Sequence, residues 1–239
     1  MKIIFLNIFF SFLIFLNTSN ELFRNKTINL SKESIFQYSK KTPKSKFLDS
    51  DHSLFNKILN KYVSITGKVN YKGLKSDKKL LDQYLLELKK SPSAKASKSE
   101  KLAFWINAYN AYTLKMIVDH YPVKSITSLY KGKPWDHVWI VIDNKTYSLN
   151  DIEHKIIRPQ FKEPRIHFAV NCASISCPAL SNNAYTSENL ESMLENAAKS
   201  FINSKANNIS SSSIKLSPLF DWYKEDFGEV RSFISKYSK

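Results

Sequence analysis

At 239 residues and 27.7 kDa, the chain has room for one ordinary domain with extensions, not for several. Hydrophobic residues make up 43% and aromatic residues 13%, enough to fill a core, which excludes wholesale disorder. With only four glycines and no GxGxxG or GxxxxGK string, both common nucleotide-binding designs are excluded.

Lys2 precedes a fourteen-residue run at 3–16 that only Asn7 and Ser11 interrupt. That is the pattern of a secretory signal, and it is shorter than the roughly 20 residues a membrane-spanning helix needs. Residues 1–19 are therefore expected to be a signal peptide and the chain to be exported, periplasmic or secreted; an uncleaved membrane anchor is the alternative. The 36 Lys and Arg against 21 Asp and Glu leave a net charge of +15, which draws a protein toward anionic polymers and headgroups, including peripherally to membranes. The lysines occur singly and in pairs with no arginine-rich motif, so nucleic acid is not an expected partner.

Residues 20–50 are polar, rich in Lys and Ser and without periodicity, and read as a leader to a single domain at 51–239. Apolar spacing predicts an amphipathic helix over 52–63 and another over 77–89, with residues 67–74 extended between them. Ser97 and Glu100 form a capping-box signature that opens a long helix at 98–119. This helix is apolar on nearly every side, as a helix in the middle of a fold must be, yet it carries Asn107 and Asn110. Buried amides have to be hydrogen-bonded, so they either cross-link the helix to a neighbouring loop or face a polar cavity.

Past Pro122 the period changes. Residues 138–142 and 146–149 read as a hairpin, 150–157 as a short helix, and 165–171 as a strand alternating Ile166, Phe168 and Val170 with Arg165, His167 and Ala169. Thr186 caps a helix running to about residue 203, residues 208–216 read as a further strand or hairpin, and two short helices close the chain. The fold class is α+β: a helical N-terminal half with a buried central helix, packed on a small, mainly antiparallel sheet from the C-terminal half.

Candidate chemistry starts from the two cysteines, Cys172 and Cys177. Their spacing is too wide for a CxxC redox pair, and two ligands are too few for a zinc site unless histidines join. They could be a disulfide closing a tight loop, Cys172 could be an activated thiolate at a strand end, or the two could bind a metal with other ligands or be inertly buried. A thiolate needs a base. His52 and His120 read as structural, and strict alternation turns His167 away from Cys172. His154 stands just before the strand, with Glu153 beside it, although Asn150 and Glu153 also fit a capping box.

The strings FWINAYNAY (104–112), PWD (134–136), LNDIEH (149–154), RP (158–159), RIHFAVNCASISCP (165–178) and FDWYKEDF (220–227) together resemble the DUF547 family, over about residues 69–227. The family brings no settled reaction. The resemblance implies Asn107, Glu153, His154 and Cys172 as site residues, with Cys177 an optional partner; the histidine-before-cysteine order is similar to papain-like cysteine hydrolases at fold level. The expectation is a thiol-dependent hydrolase or transferase acting on an amide, ester or peptide of the envelope. Cys172 would be the nucleophile and His154 the base, with Asn107 or backbone amides near Ala173 polarising a carbonyl. The alternative is a non-catalytic envelope-binding module with a Cys172–Cys177 disulfide and a basic surface. Neither reading calls for a cofactor or a metal.

Overall fold

The computed structural model of the protein describes residues 51–174, 177–209 and 213–238; the expected signal peptide and leader lie outside them. Helix α1 (Ser53–Tyr62) buries Phe55, Ile58, Leu59 and Tyr62, the stripe its spacing predicts. Asn70 caps α2 (Tyr71–Ser76) by accepting from the Gly73 amide. Helix α3 (Lys78–Glu87) follows with Leu81, Tyr84 and Leu85 inward.

Helix α4 (Lys98–His120) opens on the reciprocal Ser97–Glu100 capping box. It buries residues on all sides, including Asn107, Asn110 and Thr113, because α2, α3 and the 151–157 segment pack around it. One hydrophobic core centres on this helix. Among the described residues no helix is long and apolar enough to cross a membrane.

Beyond three short 3₁₀ turns, strands β1 (Ile140–Ile142) and β2 (Lys145–Tyr147) pair antiparallel. Asp143 and Asn144 between them sit at φ 50° and 60°, the left-handed pair that a two-residue hairpin turn requires. A π-helical segment, Asp151–Ile157, runs directly into α5 (Arg158–Phe161). Helix α6 (Leu190–Ile202), the two-residue strands β3 (Asn208–Ile209) and β4 (Ile214–Lys215), and helices α7 (Leu219–Trp222), α8 (Lys224–Phe227) and α9 (Val230–Ser235) complete the chain. Their apolar faces and Phe168 build a second, aromatic core.

The α+β class holds, with strands that form two separate hairpins. The expected strand at 165–171 is instead a 3₁₀ helix, Pro164–Phe168. Pro164 has φ preset for a helical first position, and the Glu163 carboxylate accepts from the Arg165 amide. The alternation of five residues was too short a signal to outweigh that start. With it goes the geometric exclusion of His167, which rested on a strand.

Candidate functional site

Two sets of polar side chains surround the long helix. The first holds the irregular chain between residues 169 and 189. Asn107, fully buried, donates from Nδ2 to the Tyr185 carbonyl at 2.7 Å and accepts from the Tyr185 amide at 3.0 Å. Asn110 repeats the arrangement one turn on, donating to the Ala169 carbonyl at 2.9 Å and accepting from the Asn171 amide at 2.8 Å. Asn56 accepts from the Ala184 amide, and Asn189 donates to its carbonyl. A segment without regular structure must find partners for its backbone elsewhere, and here asparagine amides supply them. Both polar ends of the Asn107 amide are engaged in this cross-link, in place of the carbonyl-polarising role the resemblance implies.

Within that clamped segment Cys172 and Cys177 are joined in a disulfide. Asn171 stabilises the same loop from inside: its Nδ2 donates to the Pro178 carbonyl at 2.7 Å and its Oδ1 accepts from the Ala173 amide at 3.0 Å. Ala173 lies at φ 56°, a left-handed conformation uncommon for a residue with a Cβ. In the disulfide state Cys172 has no thiolate to offer as a nucleophile, which corrects the free-thiol reading of the sequence.

The second set is charged and joins the two cores. The Asp151–Ile157 segment turns Glu153 inward, 4% exposed, where its Oε1 accepts from the Tyr223 hydroxyl at 2.7 Å. The Tyr109 hydroxyl of α4 also bonds to Glu153. The capping role expected for Glu153 belongs to Asp151. Ser148 leads the segment, its Oγ accepts from the Asp151 amide at 3.0 Å, and Asp151 Oδ2 accepts from the Ser148 amide at 2.8 Å. The register of the cap is therefore shifted by two residues, which frees Glu153 for the interior. Segments of π-helix are rare and often coincide with functional sites.

His167, 2% exposed, stacks on the Tyr223 ring at 3.7 Å between centroids. Its Nε2 donates to Asp226 Oδ2 at 2.6 Å, since a carboxylate can only accept. In the neutral ring Nδ1 is then bare; it has no hydrogen-bond partner and lies 4.0 Å from Glu153 Oε1. Burial holds the His167 pKa below its ordinary value against the pull of Asp226 and Glu153. Burial also opposes ionisation of Asp226, but the bonds from Arg158 and His167 outweigh it, and its carboxyl lies below the usual range. Arg158 grips Asp226 through Nε at 2.6 Å and Nη2 at 3.1 Å, with its guanidinium 5.2 Å from the Tyr223 ring centre.

His154 is exposed above this junction. Arg158 Nη1 approaches its Nδ1 at 3.0 Å, and arginine has no acceptor, so Nδ1 accepts and the neutral ring carries its proton on Nε2. Placed this way, His154 Nδ1 is engaged by Arg158. Its partners are Arg158 and, at 6.3 Å, the Tyr223 ring. No hydrogen bond joins it to Cys172 among the described residues. His120 and His137 lie apart from both sets, on either side of Tyr130. His52 is buried in α1's approach, where its Nδ1 bonds the Tyr84 hydroxyl at 2.7 Å, the structural role its position predicts. Among the described residues no group of three or more His, Cys, Asp or Glu could hold a metal ion.

The sequence reading placed Glu153 and His154 in the site. It turned His167 away and left Arg158, Tyr223 and Asp226 without a role, although the RP, RIHF and FDWYKEDF strings contain them all. These strings, distant in the chain, meet with Tyr109 of FWINAYNAY in one cluster. No curated protein and no solved structure matches the chain at a significant level. A family model described as "Protein of unknown function, DUF547" matches residues 93–202, from the loop before α4 through the cysteine loop to the end of α6.

Proposed function

We propose that the protein is an exported, non-catalytic binding module that holds an anionic polymer of the cell envelope on its lysine-rich surface. The observation that carries this reading is the Cys172–Cys177 disulfide. It is the bond expected in an oxidising compartment, and it occupies the sulfur on which a thiol hydrolase would depend. The other two members of the thiol mechanism have different partners as well: Asn107 is engaged by Tyr185 and His154 Nδ1 by Arg158. The signal-like residues 1–19 and the net charge of +15 support the compartment and the sign of the partner.

Retention of the purified protein on immobilised dextran sulfate, measured from 50 mM to 500 mM salt, tests the reading. Binding at low salt that falls steeply as salt rises is expected of a surface held by screened charges. Absence of retention at the lowest salt, or hydrolysis of an activated acyl ester that iodoacetamide abolishes, contradicts it.

A further inference from the structure

A groove of about 980 Å³ runs between one face of α6 and the chain that follows the disulfide. Residues 178–181 lie along it without regular secondary structure. Pro178 and Leu180 are buried and Ala179 is exposed between them, the two-residue period of a strand. The ends of this stretch are pinned by side chains. Asn171 Nδ2 donates to the Pro178 carbonyl at 2.7 Å, and Asn60 Nδ2 donates to the Asn182 carbonyl at 2.6 Å.

Gly67, at φ 77°, backs the stretch so closely that a Cβ there would come within 2.6 Å of the Ala179 Cβ. Between the pins, the backbone N–H and C=O groups of Ala179, Leu180 and Ser181 form no hydrogen bond to any described residue. The stretch belongs to neither hairpin, but fixed at both ends with unpaired backbone groups beside a groove it offers a partner what the edge strand of a sheet offers. Because it is already held in place, an incoming chain would meet little ordering cost on this side.

We propose that residues 178–182 are a docking edge for an extended peptide, which adds as a strand through main-chain hydrogen bonds to Ala179, Leu180 and Ser181. The unpaired backbone groups select a peptide, because an alternating row of amides and carbonyls is what they complement. The other wall selects its character. Lys205 is the one charged side chain among the described residues lining the groove, and Met193 and Phe201 give the floor apolar surface. The occupant is therefore a chain with apolar residues at alternate positions and an acidic residue at the Lys205 end. The main-chain contacts at Ala179, Leu180 and Ser181 draw on no lysine, so this edge can stand or fall separately from polyanion binding.

The probe is an acetylated, amidated pentapeptide of alternating valine and threonine ending in glutamate, titrated into the 15N-labelled folded protein. Amide shifts concentrated at Ala179, Leu180 and Ser181 are expected, and a peptide N-methylated at alternate residues should lose them. Ala179→Pro, which removes one donor, should weaken binding up to about tenfold, as loss of one main-chain hydrogen bond implies. Lys205→Glu should weaken it several-fold, and dextran sulfate should not compete. Equal shifts from the N-methylated peptide, shifts confined to other regions, or none at millimolar peptide would overturn the proposal. The N-methylated arm keeps the test decisive if Ala179→Pro fails to fold.

Discussion

The asparagine-clamped segment and the charged junction solve the same problem, fixing irregular chain against the core, with different chemistry. In the first, Asn107 and Asn110 each donate once and accept once to backbone groups. They carry no charge, and nothing in these four bonds changes with pH. In the second, Arg158 and His167 bond Asp226, the Tyr223 hydroxyl bonds Glu153, and His167 Nδ1 is left without a hydrogen bond. Amides build a frame that holds under all conditions; ionisable groups build one whose stability depends on protonation. The disulfide loop belongs to the frame and the exposed His154 to the junction.

The largest effect should come from breaking the frame. Asn107→Leu leaves the buried N–H and C=O of Tyr185 unpaired, at ~1 to 3 kcal/mol each, so a loss of about 2 to 6 kcal/mol is expected in denaturant unfolding. An unchanged midpoint would mean that the clamp carries no stability.

Acid should come next, and it should act on buried imidazoles and not on the amides. Burial depresses the His52 pKa from 6.5 to about 4, and burial depresses that of His167 as well. Each is protonated more readily in the unfolded chain, so the stability they confer is complete above pH 6.5 and is lost as pH falls toward 4. For His52 alone the loss at pH 4 is on the order of 3 kcal/mol. Unfolding free energy measured at intervals from pH 7.5 to 4 should decline through that window, and His52→Gln should flatten the curve. A flat profile in the unsubstituted protein contradicts this reading.

Removing the disulfide should cost less than removing Asn107. By loop-closure entropy a six-residue ring contributes only about 2 kcal/mol, and Asn171 ties the Pro178 carbonyl in any case. Cys172→Ser combined with Cys177→Ser should therefore leave a folded protein whose spectrum of amide shifts changes only near the loop. Collapse of the fold in that variant would make the disulfide the main support of the segment. The smallest effect belongs to the exposed pair Lys61–Asp77, 2.6 Å apart; Lys61→Ala should leave the denaturant midpoint unchanged.

The frame was legible in the sequence, because apolar spacing marks α1, α3 and α4, and a buried helix with two amides three apart demands hydrogen-bonded partners. The disulfide was legible only as one of three readings, since cysteine spacing does not reveal redox state. The junction was largely illegible. Alternation over 166–170 suggested a strand, where Pro164 and Glu163 start a 3₁₀ helix; that error turned His167 away from the cluster. Glu153 read as a cap, because Asn150 and Ser148 are both competent leaders and sequence alone does not choose between registers two residues apart. Tyr223 and Asp226 reach Glu153 and His167 from 59 to 70 positions away, and no local pattern encodes such a meeting.

The account rests most directly on the state of the two sulfurs. The mature protein, purified without reductant, should be treated with iodoacetamide across pH 6 to 9 while folded, then digested and analysed by mass spectrometry. The account expects Cys172 and Cys177 to be recovered cross-linked and unalkylated at every pH, with alkylation only after reduction. Selective, pH-dependent alkylation of Cys172 in the folded protein would contradict it and return the chain to the thiol-hydrolase reading.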